Sequence, residues 1–474
     1  MIRWLYSWAM WLAQPLLRRK LLRRSVMEPG YGQCIDERFG RYAQRVPEHE
    51  GPTVWLHAVS LGETRAAAVL VTALRQQLPQ MRLLLTHGTA TGRAEGLRLL
   101  QEGDLQAWQP WDTPGAVQRF LRHFKLDLGI LMETEVWPNL VHGCQRLGVP
   151  LVLVNARLSD KSLRQAQRLA WLARPAFAAL TAVWAQTPQD AQRLQSLGAK
   201  VQGVLGNLKF DAAPNADQLA LGQQWRGQLP QPVVMFASSR EGEELALLQI
   251  LREAYQGDPD ESGLGLCAGL ETGPVTASAA RQSMRSEVMD CVTSFAMTRV
   301  KNVQWLIVPR HPQRFDAVAT LIESHGFVVQ RRSAWGQGGP DRDSSGKQVI
   351  WLGDSLGEMA LYYGLADVAL LGGSFEPLGG QNLIEAAACG CPVVMGPHTF
   401  NFLEAAEQAL TAGAALRVAD LPQAVDVART LCFDSNRLKT VRQDAKRFAQ
   451  SHQGAAQRLA EVLVREISHG DLRK

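Results

Sequence analysis

Short apolar runs of strand length, each followed by a stretch of helical periodicity, recur along most of this chain. In its first part they are Val54–Val59, Arg82–Thr86, Leu128–Met132, Val149–Val154 and Ala182–Ala185. The pattern resets between Asp211 and Pro232, where Ala212-Ala213-Pro214 reads as a linker. It resumes with Val233–Ala237, Trp305–Val308, Phe327–Val329, Val349–Leu352, Val368–Leu371 and Val393–Met395. Repeated strand–helix units predict parallel sheets covered on both faces. The fold class is therefore α/β, with two Rossmann-like domains and a cleft between them, and ligands gather at the carboxyl ends of the strands. The expected boundaries are 25–212 and 213–474. Two stretches fall outside the repeat, near 257–297 and 333–347. Both are poor in the apolar pattern and read as surface insertions.

The N-terminus, residues 1–24, follows a different pattern. Trp4 to Leu17 is apolar and rich in tryptophan, and Arg18, Arg19, Lys20, Arg23 and Arg24 follow at once. The run is shorter than the ~20 residues of a spanning helix. Its charges come after the apolar part, the reverse of a cleaved signal peptide. Tryptophan suits the headgroup layer and arginine suits anionic lipid, so the segment reads as a membrane anchor on the cytoplasmic face. A tilted signal-anchor and a terminal helix packed on the body are the alternatives.

Composition changes this picture little. The net charge of +5 is small and partly concentrated in the anchor, and no basic stripe with interleaved aromatics argues for nucleic acid. The seven cysteines are scattered and odd in number, which suits reduced thiols. Only Cys389 and Cys391 lie close, with no second ligand pair at zinc spacing. No metal or cofactor is expected.

The candidate chemistry sits at strand ends. Gly372-Gly373-Ser374, Gly379-Gly380 and Asn382-Leu383-Ile384-Glu385 form a strand–loop–helix whose amides suit a phosphate, with Glu385 placed for a ribose. Ser60-Leu61-Gly62-Glu63 and Glu133-Thr134-Glu135 set carboxylates at two strand ends, where either a helix cap or a base would stand. Lys209 lies at the domain junction. Pro309-Arg310 and Gly357-Glu358-Met359 follow two strands of the second domain, where Arg310 could grip a phosphate.

Together, several ordered blocks resemble the bacterial 3-deoxy-D-manno-octulosonic acid (Kdo) transferases. They are His57-Ala58-Val59-Ser60-Leu61-Gly62-Glu63, Met132 to Asn139, Asn155-Ala156-Arg157-Leu158-Ser159, Gly206 to Asp211, Val308 to Pro312, Gly372-Gly373-Ser374 with Asn382 to Glu385, and Met395 to Phe402. The resemblance implies a GT-B glycosyltransferase with CMP-Kdo as donor and a tetraacylated lipid A precursor as acceptor, at the inner membrane. It makes Glu63 the general base, with Glu133 and Lys209 assisting. It places CMP-Kdo on Pro309, Arg310, Gly357, Glu358, Met359, Asn382, Leu383, Ile384 and Glu385. It implies inversion, no metal and no obligate protein partner. Arg240 and Gln381 stand where members of this family often carry His. A UDP-sugar transferase, a sugar-nucleotide epimerase and an inactive nucleotide-binding protein at the membrane are the rival readings.

Overall fold

A computed structural model describes residues 2–256, 303–340 and 348–471. The chain divides into two compact units, Met1–Ala212 with His452–Lys474, and Ala213–Ser451.

The first unit is built on a seven-stranded parallel sheet in the order β3-β2-β1-β4-β5-β6-β7. The strands are β1 (Thr53–His57), β2 (Arg82–His87), β3 (Leu105–Trp108), β4 (Leu128–Met132), β5 (Leu151–Ala156), β6 (Ala182–Ala185) and β7 (Val201–Val204). Side chains alternate across a strand, and both faces here are buried. Val54 and Leu56 enter one core with Leu70, Leu74 and Leu463. Trp55, between them, enters the other with Phe120 and Phe124. This double burial is why the strands read as unbroken apolar runs.

The second unit repeats the plan with the order β10-β11-β9-β8-β12-β13-β14. Its strands are β8 (Val233–Ser239), β9 (Gln304–Pro309), β10 (Val328–Arg331), β11 (Val349–Leu352), β12 (Val368–Leu371), β13 (Val393–Met395) and β14 (Ala415–Arg417). Helix Ala216–Gly227 packs against helix Met359–Leu365 through facing glycines. A Cβ on Gly222 would stand 2.1 Å from the Leu361 carbonyl oxygen, and one on Gly364 would stand 2.5 Å from that of Leu219. Only glycine allows this approach.

Three findings depart from the sequence-based expectations. Strands β3, β7 and β14 are only three or four residues long, each with a polar residue in its run, and each lies at a sheet edge. The segment His452–Lys474 belongs to the first unit, not the second. Helix Ala455–Asp471 buries Ala456, Leu459, Leu463 and Ile467 in the first unit's core. Asp211 fixes its start by accepting bonds from Gly454 N and Ala456 N, as an N-terminal capping carboxylate does. Finally, the insertion near 333–347 is anchored in its described part. Trp335 is buried between Trp225 and Trp351, at ring-centroid distances of 5.9 and 5.5 Å. The rest of it, and the whole of 257–297, lie outside the described residues.

The N-terminal helix runs from Ile2 to Met27 and includes Pro15. Arg3 Nη1 and Ser7 Oγ each donate to Asn139 Oδ1 at 2.9 Å. The Asp112 carboxylate accepts from Asn139 N and Leu140 N at 3.0 and 2.7 Å, and from the Tyr6 hydroxyl. Burial pushes the Asp112 carboxyl up to about 6 against these bonds. Trp4, Trp8 and Trp11 stay exposed. No described helix is long and apolar enough to cross a membrane.

Candidate active site

A doubly wound sheet opens a crevice where the strand order reverses. In the first unit that point lies between β1 and β4, and in the second between β8 and β12. Glu63 follows β1 and Glu133 follows β4.

Glu63 occupies the first turn of helix Leu61–Gln77. Its amide donates to Ser60 Oγ at 3.4 Å, and its carboxylate accepts from Ser60 Oγ at 3.0 Å and Val59 N at 2.9 Å. This is a capping box. Loss of hydration raises the Glu63 pKa above the ordinary carboxylate value. The Val59 amide and the Ser60 hydroxyl oppose the rise, and the charges of Glu133 and Glu135 add to it. The side chain is thus both a cap and a carboxylate with raised proton affinity. Glu135 is raised too, chiefly by burial, while Trp137 Nε1 donates to it at 2.9 Å.

Glu133 is buried and left-handed, with φ of 57°. Its carboxylate is held by Arg157 Nε at 2.9 Å and Lys209 Nζ at 3.3 Å. Its backbone is held on both sides, with its N–H donating to Val154 O and its carbonyl accepting from Arg157 N. Lys209 is positioned by Asn207, whose Oδ1 caps its amide at 3.0 Å. Asn155 accepts from Leu208 N at 3.1 Å, tying the same turn to β5. Five non-glycine residues have positive φ among the described residues, and three of them, Glu133, Asn155 and Ser238, end β4, β5 and β8. Such strain gathers where a site dictates backbone direction. At Asn155 and Ser238 it coincides with shifts in strand register.

In the second unit, the carboxyl edge carries a cationic cluster. The Arg310 amide donates to Ser239 O at 3.0 Å, and its Nε donates to Gln381 Oε1 at 3.1 Å. A Cβ on Gly373 would meet Gln381 Nε2 at 3.2 Å and Arg240 Cγ at 3.6 Å. Gly373, Gly379 and Gly380 all have positive φ. His311 is exposed, and its pKa falls through loss of hydration and the charges of Arg240, Arg310 and Arg314. Glu243 is buried beneath this edge. Both its oxygens accept from Gly373 N at 2.8 Å, and one accepts from Arg240 N at 2.9 Å. One carboxylate therefore joins the loop after β8 to the loop after β12.

The remaining predicted contacts fall on this edge with different surroundings. Pro309 is buried as the last residue of β9, and Arg310 is exposed beside it. Gly357 is exposed, while Glu358 pairs with Arg332 at 2.8 Å and accepts from Ser355. Met359 begins the helix that follows. Asn382 caps Ile384 N at 3.2 Å. Leu383 and Ile384 are core residues, so only their backbone is available to a ligand. Glu385 lies beside Tyr363 and Cys389, whose pKa values its charge raises in addition to the larger effect of burial. Cys389 and Cys391 are buried thiols. Among the described residues, no group of three or more His, Cys, Asp or Glu could hold a metal ion.

Two residues with structural claims on the site had been given no role from sequence. Arg157 bears on Glu133 from the end of β5, and the strand-end rule could have singled it out. Glu243 lies in the strand-end stretch Ala237 to Glu244, three residues from its partner Arg240, but its tie to Gly373, 130 residues away, has no local signal.

The family model "3-Deoxy-D-manno-octulosonic-acid transferase (kdotransferase)" matches residues 33–212. The 3-deoxy-D-manno-octulosonic acid transferase of Bordetella pertussis is 42% identical, over 97% of this chain and 98% of its own. The Haemophilus influenzae protein of that name is 29% identical over 98% of both. A glycosyltransferase from Rickettsia africae superposes with a TM-score of 0.52 at 12% identity, over 88% of this chain and 99% of its own, which shows a shared GT-B fold. By its near-complete match to the Bordetella protein, and with the expected carboxylates and cations at the strand ends, this chain belongs to the 3-deoxy-D-manno-octulosonic acid transferase family.

Proposed function

We propose that the protein transfers Kdo from CMP-Kdo to a hydroxyl of a tetraacylated lipid A precursor. The observation that carries this reading is the arrangement around Glu133, where a left-handed buried carboxylate is held by Arg157 and Lys209 while its charge helps raise Glu63. Glu63 takes the proton of the acceptor hydroxyl. The hydroxyl oxygen attacks the anomeric carbon of Kdo, and the bond to the CMP phosphate breaks. A single displacement with one base inverts the anomeric centre, as in inverting glycosidases, with a lipid hydroxyl in place of water.

The second unit takes the donor. Arg310 and Arg240 offset the charge of the CMP phosphate, and the glycine loop after β12 brings backbone close to it. No metal is required for this. Lys209 stabilises charge at the reacting centre, and Glu133 orients Lys209. The exposed tryptophans and the arginines of the N-terminal helix hold the protein at the cytoplasmic face of the inner membrane. An epimerase would have no use for that helix.

The test is a transfer reaction with CMP-Kdo, the tetraacylated acceptor in detergent and EDTA, read by mass spectrometry. A gain of at least one Kdo unit is expected. No gain alongside a working control enzyme would point to another sugar nucleotide.

Glu243→Gln tests the donor side. Both oxygens of Glu243 accept from backbone amides, so the variant turns an NH2 group against one of them. A buried donor left unpaired costs about 1–3 kcal/mol. Steady-state kinetics should show the KM for CMP-Kdo raised about tenfold, with kcat changed far less. An unchanged KM would show that the two loops do not need the clamp.

A further inference from the structure

The N-terminal helix meets the body at Asn139 and Asp112 and leaves a groove beside that junction. The groove has a volume of about 600 Å³, within the range of about 300–1,000 Å³ usual for small-molecule sites. Trp4, Trp8 and Trp11 form one wall, with ring centroids 5.5 and 5.9 Å apart along the row. They are 65, 48 and 60% exposed. Val117, Arg122 and Arg146 also line it, and the two arginines are exposed and in no ion pair among the described residues. Soluble surfaces rarely present such an apolar patch without an occupant. An apolar trough with guanidinium groups at its edge complements a hydrocarbon chain next to an anionic group.

The occupant follows from the groove's position. Helix Pro138–Leu147, which supplies Asn139 and Arg146, starts directly after the Glu133–Glu135 turn. The groove therefore runs along the element that leaves the reacting centre. We propose that it holds one acyl chain of the phosphorylated lipid acceptor, with Arg122 and Arg146 at a phosphate of the same molecule. This rests on the lipid-acceptor reading above and adds a subsite to it.

The experiment uses the full chain in detergent and compares the tetraacylated acceptor with its fully deacylated, water-soluble form. Gln118→Trp fills the groove, and Arg122→Glu with Arg146→Glu reverses its rim. The filled variant should raise KM for the tetraacylated acceptor at least tenfold, and the reversed rim at least threefold. KM for the deacylated form should move less than twofold in the filled variant, but should rise with the reversed rim, because that form keeps its phosphate. An unchanged ratio of the two KM values in the filled variant, or an unchanged KM for both acceptors with the rim reversed, would overturn the proposal. A binding readout separates this failure from failure of the parent reading. Acceptor with brominated acyl chains should quench tryptophan fluorescence in wild type and less in Gln118→Phe, which fills the groove without adding a tryptophan, even if no sugar is transferred. Absence of quenching by the acceptor, or acceptor quenching of equal size in wild type and Gln118→Phe, would overturn the acceptor as occupant. Vesicles of brominated phosphatidylglycerol should quench both proteins alike, because the exposed tryptophans also meet the membrane.

Discussion

Glu63→Gln is expected to lower kcat for Kdo transfer about 10²–10⁴-fold, the contribution typical of a positioned general base. The substitution is chosen because Glu63 has two roles. Its capping box with Ser60 survives in glutamine, since Ser-x-x-Gln caps as Ser-x-x-Glu does. Thermal stability should therefore stay close to wild type, and so should CMP-Kdo binding, which involves the second unit. The pH profile supplies a further sign. The base must be ionised to take a proton, and burial with the Glu133 and Glu135 charges raises its pKa. The wild-type rate should thus climb with pH along an acid limb whose midpoint lies above the ordinary glutamate value. That limb should vanish in Glu63→Gln. A variant retaining wild-type kcat would assign Glu63 to capping alone.

Lys209→Met is the second large effect. Removing one preorganised charge from a reacting centre costs about 10²–10³ in kcat. Glu133 keeps Arg157 at 2.9 Å when Lys209 is lost, so its carboxylate is not left unpaired. The structural cost should then be about 1 kcal/mol, as for a partly exposed pair. Lys209→Arg should restore part of the rate by keeping the charge at Glu133. Equal losses of rate and stability across both variants would make Lys209 a structural partner of Glu133 and nothing more.

The doubly covered strands were legible because burial on both faces leaves no room for polar residues. In β1, Val54 and Leu56 serve one core and Trp55 the other, so the run is apolar throughout. The missed strands Leu105–Trp108, Val201–Val204 and Ala415–Arg417 lie at sheet edges, where one side has no partner strand. Polar residues such as Gln106 and Arg417 are tolerated there, and the signal fades. The return of the C-terminal helix to the first unit was not legible either. Its amphipathic face fits any core, and the Asp211 carboxylate that fixes it lies 243 residues from Gly454. Trp335 was misread because a single aromatic among glycines and serines shows nothing of Trp225 and Trp351 waiting for it.

The site was legible to the extent that strand ends fix it. Glu63, Glu133 and Arg310 follow strands, and a parallel sheet gathers its ligands at that edge. Lys209 was reached through the domain junction, and its pairing with Glu133 spans 76 residues. The left-handed backbone at Glu133 and Ser238 has no sequence signal, since neither is glycine or asparagine. Leu383 and Ile384 were named with their motif, yet their side chains serve the core.

The most direct test of the account is the stereochemistry of one turnover. CMP-Kdo and the tetraacylated acceptor are incubated with the protein in EDTA, and the anomeric configuration of the new Kdo linkage is read by NMR. A linkage of configuration opposite to the donor's is expected, formed in a single displacement by a hydroxyl that Glu63 deprotonates. Retained configuration would require either two displacements through an enzyme nucleophile or attack on the face the phosphate leaves, and would contradict the single inverting displacement.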